Sequence, residues 1–344
     1  MTSPIPRRAA KRILGAMRYR AGHALASLAV AFALCTAPAP ANAASWEIIP
    51  TWPAADVNLT VPFSQGSEAD ILFSLFSSAF MAETGKRLNL VHVPGQAGAV
   101  AWARMVDDSN DGTTLTAVLL PHVFLRAMLP DSGIKMENMV ICHITAYTPC
   151  VLWTASFGSI SSVDNFADTA ATMNGRFLVA GPGRYSAGQI AARVLDRAAG
   201  VRSTYIPYTG SIDAGKAVLN RQAGVFWAHS VALTALGSSV KPLAIAAQTR
   251  LRSMPEVPTF HELGYDVEEG MYYGIAVPAD TPEESRQRIA DFFSRAARSP
   301  AFRAQAEKLG FIPQDVPLGS MPDFAATLRE ALAKRIEDYD LFTQ

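Results

Sequence analysis

The stretch Val-Pro-Phe-Ser-Gln-Gly-Ser-Glu-Ala-Asp, residues 61–70, decides the fold because it joins a strand-like run to a long apolar helix. Residues 57–61 are largely apolar and read as a strand. Pro62 cannot donate to a sheet ladder, so the strand should end there. Gly66 permits a backbone turn that most residues resist. The sequence therefore predicts strand, turn and helix start within these few residues.

The helix start has the features of an anion-binding site. Ser67 and Asp70 have the Ser-x-x-Asp spacing of a capping box, and the helix is predicted to run to about Glu83. Such a start presents free N–H groups and the positive end of the helix dipole, which suit a carboxylate. The alternative is that Ser67 and Asp70 only cap the helix, and the local sequence leaves both interpretations open.

The rest of the chain alternates between strand-like and helix-like stretches, as parallel α/β sheets require. A glycine-rich loop at residues 181–188 repeats the arrangement of the opening loop. We predict an α/β fold of two doubly wound lobes joined by two crossover segments, with a ligand cleft between the facing strand ends. The predicted lobes comprise residues 44–150 with 270–344, and residues 151–269.

Residues 1–43 have the organisation of a cleaved signal peptide. Met1 to His23 carry six basic residues and no acidic one, an apolar segment follows, and Ala41-Asn42-Ala43 fits a small-residue cleavage site. We expect cleavage after Ala43 and a periplasmic protein.

The charge of the remaining chain argues against a nucleic-acid partner. Removing the signal leaves 24 basic and 30 acidic residues, a net charge of about −6. No apolar run after residue 43 reaches the roughly 18 residues that span a bilayer.

Two cysteines remain after cleavage, Cys142 and Cys150, on either side of an expected bend at residues 146–149. In an oxidising compartment a disulfide across that bend is one interpretation, and two free buried thiols are the other.

Motifs for catalysis or cofactor binding are incomplete, so we expect no enzyme activity, no cofactor and no metal. Residues 210–216 have phosphate-loop spacing, but Ala217 follows the lysine and cannot ligate magnesium. Ser186 lies in Gly-Arg-Tyr-Ser-Ala-Gly, where Arg184 replaces the first glycine of the Gly-x-Ser-x-Gly nucleophile elbow of hydrolases. The histidines of the mature chain lack the paired spacing of a metal site.

Short motifs follow one another in order along the mature chain. They are Trp52-Pro53 to Phe63, Pro94-Gly95 to Gly98, Ile206-Pro207-Tyr208-Thr209-Gly210, Pro255-Glu256-Val257-Pro258-Thr259, Glu262-Leu263-Gly264, Tyr273-Gly274 and Pro278-Ala279-Asp280-Thr281-Pro282. Together they resemble the tripartite tricarboxylate transporter solute-binding proteins, the TctC or Bug receptor family. The resemblance implies a type II periplasmic-binding-protein fold that closes on a small carboxylate without catalysis.

The departures from this family lie in the ligand loops. Ser67-Glu68-Ala69 replaces the family's glycines before Asp70, and Glu68 either points away from the ligand or contacts a cation. In the second loop Arg184 could bind a carboxylate in bidentate fashion, or it is a solvated rim residue. Tyr185 and Trp227 could flank a ring, suggesting an aromatic or dicarboxylic acid, although core packing is the alternative for Trp227. The predicted ligand-binding residues are Phe63, Ser64, Gln65, Gly66, Ser67, Asp70, Arg184, Tyr185, Ser186, Ala187, Tyr208, Trp227 and His229.

The resemblance also implies the partners. They are a small-molecule carboxylate and the permease subunits of a tricarboxylate-type membrane transporter, with the receptor acting as a monomer. The alternative is a ligand-sensing protein that signals to a sensor kinase, and the sequence does not separate the two.

Overall fold

The computed structural model describes residues 52–232 and 236–339. The predicted signal peptide, residues 1–43, and its cleavage site lie outside the described residues. Among the helices that are described, none is both long and apolar enough to span a membrane.

Ten strands form one curled sheet in the order β2-β1-β3-β9-β4-β7-β5-β6, with β8 and β10 also paired to β4. The strands are β1 Val57–Val61, β2 Leu88–His92, β3 Thr114–Leu120, β4 Met139–Ala155, β5 Leu178–Pro182, β6 Thr204–Tyr208, β7 Val225–His229, β8 Val240–Ile245, β9 Gly270–Pro278 and β10 Ile312–Pro317.

Helices connect and cover these strands. They are α1 Glu68–Thr84, α2 Ala99–Arg104, α3 His122–Ala127, α4 Val163–Met173, α5 Ala187–Ala199, α6 Ser211–Leu219, α7 Glu283–Arg298, α8 Pro300–Lys308 and α9 Met321–Tyr339. The predicted alternation of strands and helices is confirmed.

Strand β4 is the element that connects the sheet. Residues 139–149 pair antiparallel with β9, and residues 150–153 pair with β7. We call β2, β1, β3, β9, β10 and residues 139–149 of β4 the first sheet half. The second sheet half comprises β7, β5, β6, β8 and residues 150–155 of β4. The exact lobe boundaries that the sequence suggests stay a prediction.

One expectation about this region is wrong, and of the two interpretations of the cysteines the structure agrees with free thiols. The bend expected at residues 146–149 lies inside the continuous strand β4, where Ala146, Tyr147, Thr148 and Pro149 all pair with β9. Cys142 and Cys150 are both buried and free. Eight residues of extended chain separate the two cysteines by roughly 20 Å or more, whereas a disulfide needs Cα atoms within about 7 Å.

Strand β10 is an element that the sequence analysis missed. It pairs antiparallel with β4, Ile312 opposite Tyr147 and Pro317 opposite His143. Its sequence contains two prolines and two polar residues, so it lacks the usual strand pattern. Prolines are tolerated in strands mainly at sheet edges and irregularities.

Helix α1 is held at both ends and along one face. The Ser67 side chain caps its start, and Gly85, with φ 67°, ends it in the left-handed conformation. Phe76 is fully buried between the rings of Phe293 and Phe302, with centroid distances of 5.1 and 4.5 Å. Aromatic packing therefore fixes the position of the helix whose start follows residues 61–67.

Replacing Phe76 with alanine should lower the free energy of unfolding by about 3–5 kcal/mol, because the change leaves a cavity in this aromatic cluster. Urea denaturation followed by circular dichroism measures the loss. Phe157→Ala is the matched control, because Phe157 is 61% exposed and should change stability by less than about 0.5 kcal/mol. Equal effects of the two substitutions would contradict this account of the core.

Candidate functional site

A cavity of about 610 Å³ lies between the two sheet halves. Most of its wall consists of residues that come directly after the carboxyl ends of six parallel strands, which is where open α/β sheets bind ligands. The stretches after β1, β2 and β3 come from the first sheet half, and those after β5, β6 and β7 come from the second. The lining residues include Phe63 to Ala69, Pro94 to Ala97, His122, Arg126, Pro182, Gly183, Pro207 to Asp213, Lys216, His229 and Met271.

The opening loop has the predicted capped geometry. Gly66 has φ 79°, a conformation that side chains disfavour, and its N–H donates to Asp70 Oδ2 at 2.8 Å. The Asp70 N–H donates to Ser67 Oγ at 3.3 Å. Asp70 Oδ1 also lies 2.7 Å from His92 Nε2 at the end of β2, so both carboxylate oxygens have partners. Ser67 therefore caps the helix and also lines the cavity, whereas Asp70 does not line it.

Glu68 connects the two sheet halves at the cavity wall. Its Oε1 accepts a hydrogen bond from Ser211 Oγ at 3.0 Å, and its Oε2 lies 2.9 Å from His229 Nδ1. Tyr273 Oη donates to Oε2 at 3.3 Å. Three side chains, from α6, β7 and β9, thus bond to the carboxylate of Glu68, the first residue of α1.

The protonation of this cluster follows from its hydrogen bonds. Burial raises the pKa of Glu68, but the His229 ring and the hydrogen bonds from His229, Ser211 and Tyr273 outweigh it, so the pKa lies below its usual value. Burial and the nearby Glu68 charge raise the pKa of Tyr273 well above 10, which keeps its hydroxyl a donor. Because an ionised carboxylate only accepts, His229 must carry a proton on Nδ1.

The Glu68 carboxylate also lies at the start of helix α6. Ser211 is the first residue of that helix, and Gly210 before it provides no side-chain cap. The first N–H groups of a helix carry a partial positive charge of about half a unit, which stabilises a nearby anion. Glu68 is therefore the carboxylate that this helix start attracts.

Arg126 and Lys216 are the cationic side chains on the cavity wall. Arg126 is half-buried; its Nη2 donates to the Arg184 carbonyl at 3.1 Å, and its guanidinium lies 5.7 Å from the centre of the Tyr185 ring. Its Nε is buried without a hydrogen-bond partner among the described residues. Lys216 is exposed and lies 3.4 Å from Asp213 Oδ1. A guanidinium with an unused donor suits a carboxylate.

His122 is a buried histidine on the cavity wall. Burial, together with the charges of His229 and Arg126, lowers the pKa of His122 to about 3. The ring is therefore neutral near pH 7. Its Nδ1 has no hydrogen-bond partner within the described part of the chain.

The predicted site residues divide into two groups. The cavity wall includes Phe63, Ser64, Gln65, Gly66, Ser67, Tyr208 and His229. The residues that lie outside the wall are Asp70, Arg184, Tyr185, Ser186, Ala187 and Trp227. Which of the thirteen contact a ligand stays a prediction.

In the loop before α5, Gly183 lines the cavity, but residues 184–186 do not, because their side chains have other contacts or are exposed. Ser186 is fully buried and caps α5, accepting from the Gln189 N–H at 3.2 Å. Arg184 is exposed, and only its carbonyl contacts the site, through Arg126. Trp227 is fully buried and stacks on Phe260 at 5.4 Å, which agrees with the core-packing alternative.

Sequence reasoning missed Arg126, His122 and Ser211. Arg126 and His122 belong to the short helix α3, which carries no motif. Ser211 lies in residues 210–216, which the sequence analysis weighed only as a phosphate loop. Glu68 was noticed as a departure from the family pattern, but its partners lie 143 to 205 residues away in the chain. Only the fold brings such distant side chains together.

Comparison with known proteins identifies the relatives of this chain. The model of the tripartite tricarboxylate transporter family receptor matches residues 86–334. The structure of the periplasmic binding protein BugD superposes with a TM-score of 0.77 at 18% identity, covering 85% of this chain and all of BugD.

Two further similar structures hold small carboxylates. A Rhodopseudomonas palustris protein solved with adipate has a TM-score of 0.79 at 19% identity, covering 83% of this chain and 97% of its own. MatC from the same species, with bound malate, has a TM-score of 0.73 at 22% identity, covering 84% and 99%. These similarities confirm the predicted two-lobed periplasmic-binding-protein fold.

The Glu68 cluster makes stability depend on pH. Because the folded state lowers the pKa of Glu68 below 4.5, the ionised side chain stabilises the protein above that pH, and this contribution is lost as the pH falls through the folded-state pKa. We expect Glu68→Gln to lower the free energy of unfolding at pH 7 by about 1–3 kcal/mol. The difference from the unsubstituted protein should shrink as the pH falls below 4.5.

Urea denaturation at several pH values measures this difference. Glu137→Gln removes an exposed carboxylate elsewhere and should have little effect at any of them. A Glu68→Gln difference that stays constant from pH 7 to pH 3 would contradict the proposed ionisation of the cluster.

Proposed function

Because this chain belongs to the tripartite tricarboxylate transporter family of receptors, we propose that it captures a small organic carboxylate in the cavity between its sheet halves. It then delivers that acid to the permease of a tricarboxylate-type transporter. Like the rest of its family, the chain is a receptor and not an enzyme.

The observation that carries this proposal is the composition of the cavity wall. Its volume of about 610 Å³ suits a small molecule, and Arg126 contributes a half-buried guanidinium with an unused donor. Lys216 adds a second cation. Residues 63–67 and 95–97 also line the cavity, and at Gly66 and Gly95 no side chain separates the backbone from it. The malate and adipate complexes of similar structures support a carboxylate as the ligand class.

The cavity wall includes residues from both sheet halves, which supports a mechanism in which the two halves close on the ligand and the closed form signals that the receptor is occupied. A ligand that contacts residues after β1 and β3 and also residues after β6 stabilises the arrangement in which these stretches face each other. A permease that contacts surfaces of both halves would then distinguish the bound receptor from the empty one.

The family and the predicted signal peptide support a periplasmic location. BugD, which shares the fold, is a periplasmic binding protein. Residues 1–43 have the order of basic, apolar and small residues that directs export.

Isothermal titration calorimetry with a panel of aliphatic and aromatic acids tests the ligand class. We expect at least one organic acid to bind with a one-to-one stoichiometry, and neutral amides of the same carbon skeletons to bind far more weakly. A protein that binds no acid of the panel, or binds the neutral amides equally well, would contradict the proposal.

Arg126→Gln should weaken the binding of an acid identified in this way by roughly 1–3 kcal/mol, about tenfold to a hundredfold, because a charge-assisted hydrogen bond is lost. Arg303→Gln is the matched control, since Arg303 is exposed on α8. Arg184→Gln forms a second comparison. If Arg184→Gln weakens binding and Arg126→Gln does not, the ligand contact belongs to the loop that the sequence first indicated.

A further inference from the structure

The wall of the cavity presents both a cation and a carboxylate to a ligand. Arg126 has one guanidinium nitrogen unpartnered among the described residues. The Glu68 carboxylate is bonded to Ser211, His229 and Tyr273, and we call this part of the wall the carboxylate end. His122 also lines the cavity, near enough to His229 and Arg126 for their charges to lower its pKa. A ligand in the cavity therefore meets a cation at one position and a carboxylate at another.

The carboxylate end has little capacity left for a second anion. The three side-chain donors there already donate to Glu68, and one of them, Ser211, is the first residue of α6. The Glu68 side chain is only 16% exposed, so bulk water does not screen it fully. A second carboxylate entering this end would lie beside the ionised Glu68, where the unpartnered side-chain nitrogens among the described residues are His122 Nδ1 and His229 Nε2.

The neighbouring rings do not compensate for this deficit. His122 is neutral near pH 7, so it adds no positive charge. The acceptor positions of Glu68 are not exhausted, because a carboxylate accepts about four hydrogen bonds and three are used here. The carboxylate end can therefore accept one more hydrogen bond from a ligand, but it offers little to an anion.

Building on the proposed function, we propose that Glu68 determines specificity in this receptor. The ligand is a monocarboxylate whose far end carries a hydrogen-bond donor, such as an amide, a hydroxyl or an ammonium group. Its carboxylate binds near Arg126, its donor group binds near Glu68, and dicarboxylates of the same length are excluded because Glu68 already occupies the position of their second carboxylate.

A purely structural role for Glu68 makes a different prediction. If the side chain only holds the two sheet halves together, its removal changes the affinity for every ligand by a similar factor. A role in specificity changes the ratio between two ligands that differ only at the far end. The ratio of dissociation constants therefore separates the two roles.

The experiment measures that ratio by isothermal titration calorimetry at pH 7.5 for three pairs of equal length. The pairs are succinate and succinamate, glutarate and glutaramate, and adipate and adipamate. Each pair replaces one carboxylate with an amide. For the unsubstituted protein we expect the best-bound pair to favour the monoamide by roughly tenfold or more.

Two substitutions of Glu68 test the cause of that preference. Glu68→Ala releases all three donors and the start of α6, so dicarboxylate binding should strengthen by roughly tenfold and the preference should reverse. Glu68→Gln removes the charge with almost the same shape, so the preference should fall toward equality. Glu137→Gln removes an exposed carboxylate outside the cavity wall and should leave the ratio unchanged. Circular dichroism confirms folding, and if Glu68→Ala fails to fold, Glu68→Gln alone decides the outcome.

Three outcomes would overturn the proposal. They are a dicarboxylate bound as tightly as its monoamide, a ratio that is the same in Glu68→Gln as in the unsubstituted protein, and no binding of any monoamide. If dicarboxylates bind well, the proposed carboxylate receptor stands and only the role of Glu68 fails. If no acid binds to any of the variants, the proposed function fails as well.

Discussion

The structure of the site depends on one buried carboxylate that is bonded across the cavity. Glu68 begins helix α1 in the first sheet half, while its donors Ser211 and His229 belong to the second. Burial disfavours its charge, yet the His229 ring and the hydrogen bonds from His229, Ser211 and Tyr273 outweigh it, so the carboxylate stays ionised. A buried charge is stable only when its partners are all in place. This cluster therefore ties the positions of α1, α6 and β7 to one another.

The elements around this carboxylate explain why its position is fixed. Phe76 anchors α1 in an aromatic cluster on the far side from the cavity. Ser67 Oγ accepts from the Asp70 N–H in the first turn of the helix, and the Asp70 carboxylate accepts from the Gly66 N–H in the loop, so the loop before Glu68 is held by hydrogen bonds to the helix start. Strand β4 passes through both sheet halves and pairs with β9 and then β7, which sets the distance between them. The cavity is thus bounded by regular structure, and its wall consists of the short stretches that follow six strand ends.

The cavity wall carries charges of both signs, so it can orient a ligand that carries unlike groups. The half-buried guanidinium of Arg126, the protein's own Glu68 carboxylate and the neutral ring of His122 all line the same wall. A relative with glycine in place of Glu68 would leave the start of α6 free for a ligand anion. In the specificity proposed above, the exchange of one residue in the opening loop changes which group at the far end of a ligand the receptor accepts, while the fold stays the same.

The sequence by itself determined the fold class, the order of the elements and the opening loop. These features follow from local chemistry: proline and glycine end strands, serine caps helices, and apolar residues recur at the spacing of each element. Only the tertiary structure decided that β4 is one continuous strand, that Cys142 and Cys150 are separate thiols, and that Arg126 rather than Arg184 lines the cavity. It also decided the partners of Glu68. Contacts between residues more than a hundred positions apart depend on how the strands are ordered in the sheet, and no local pattern records that order.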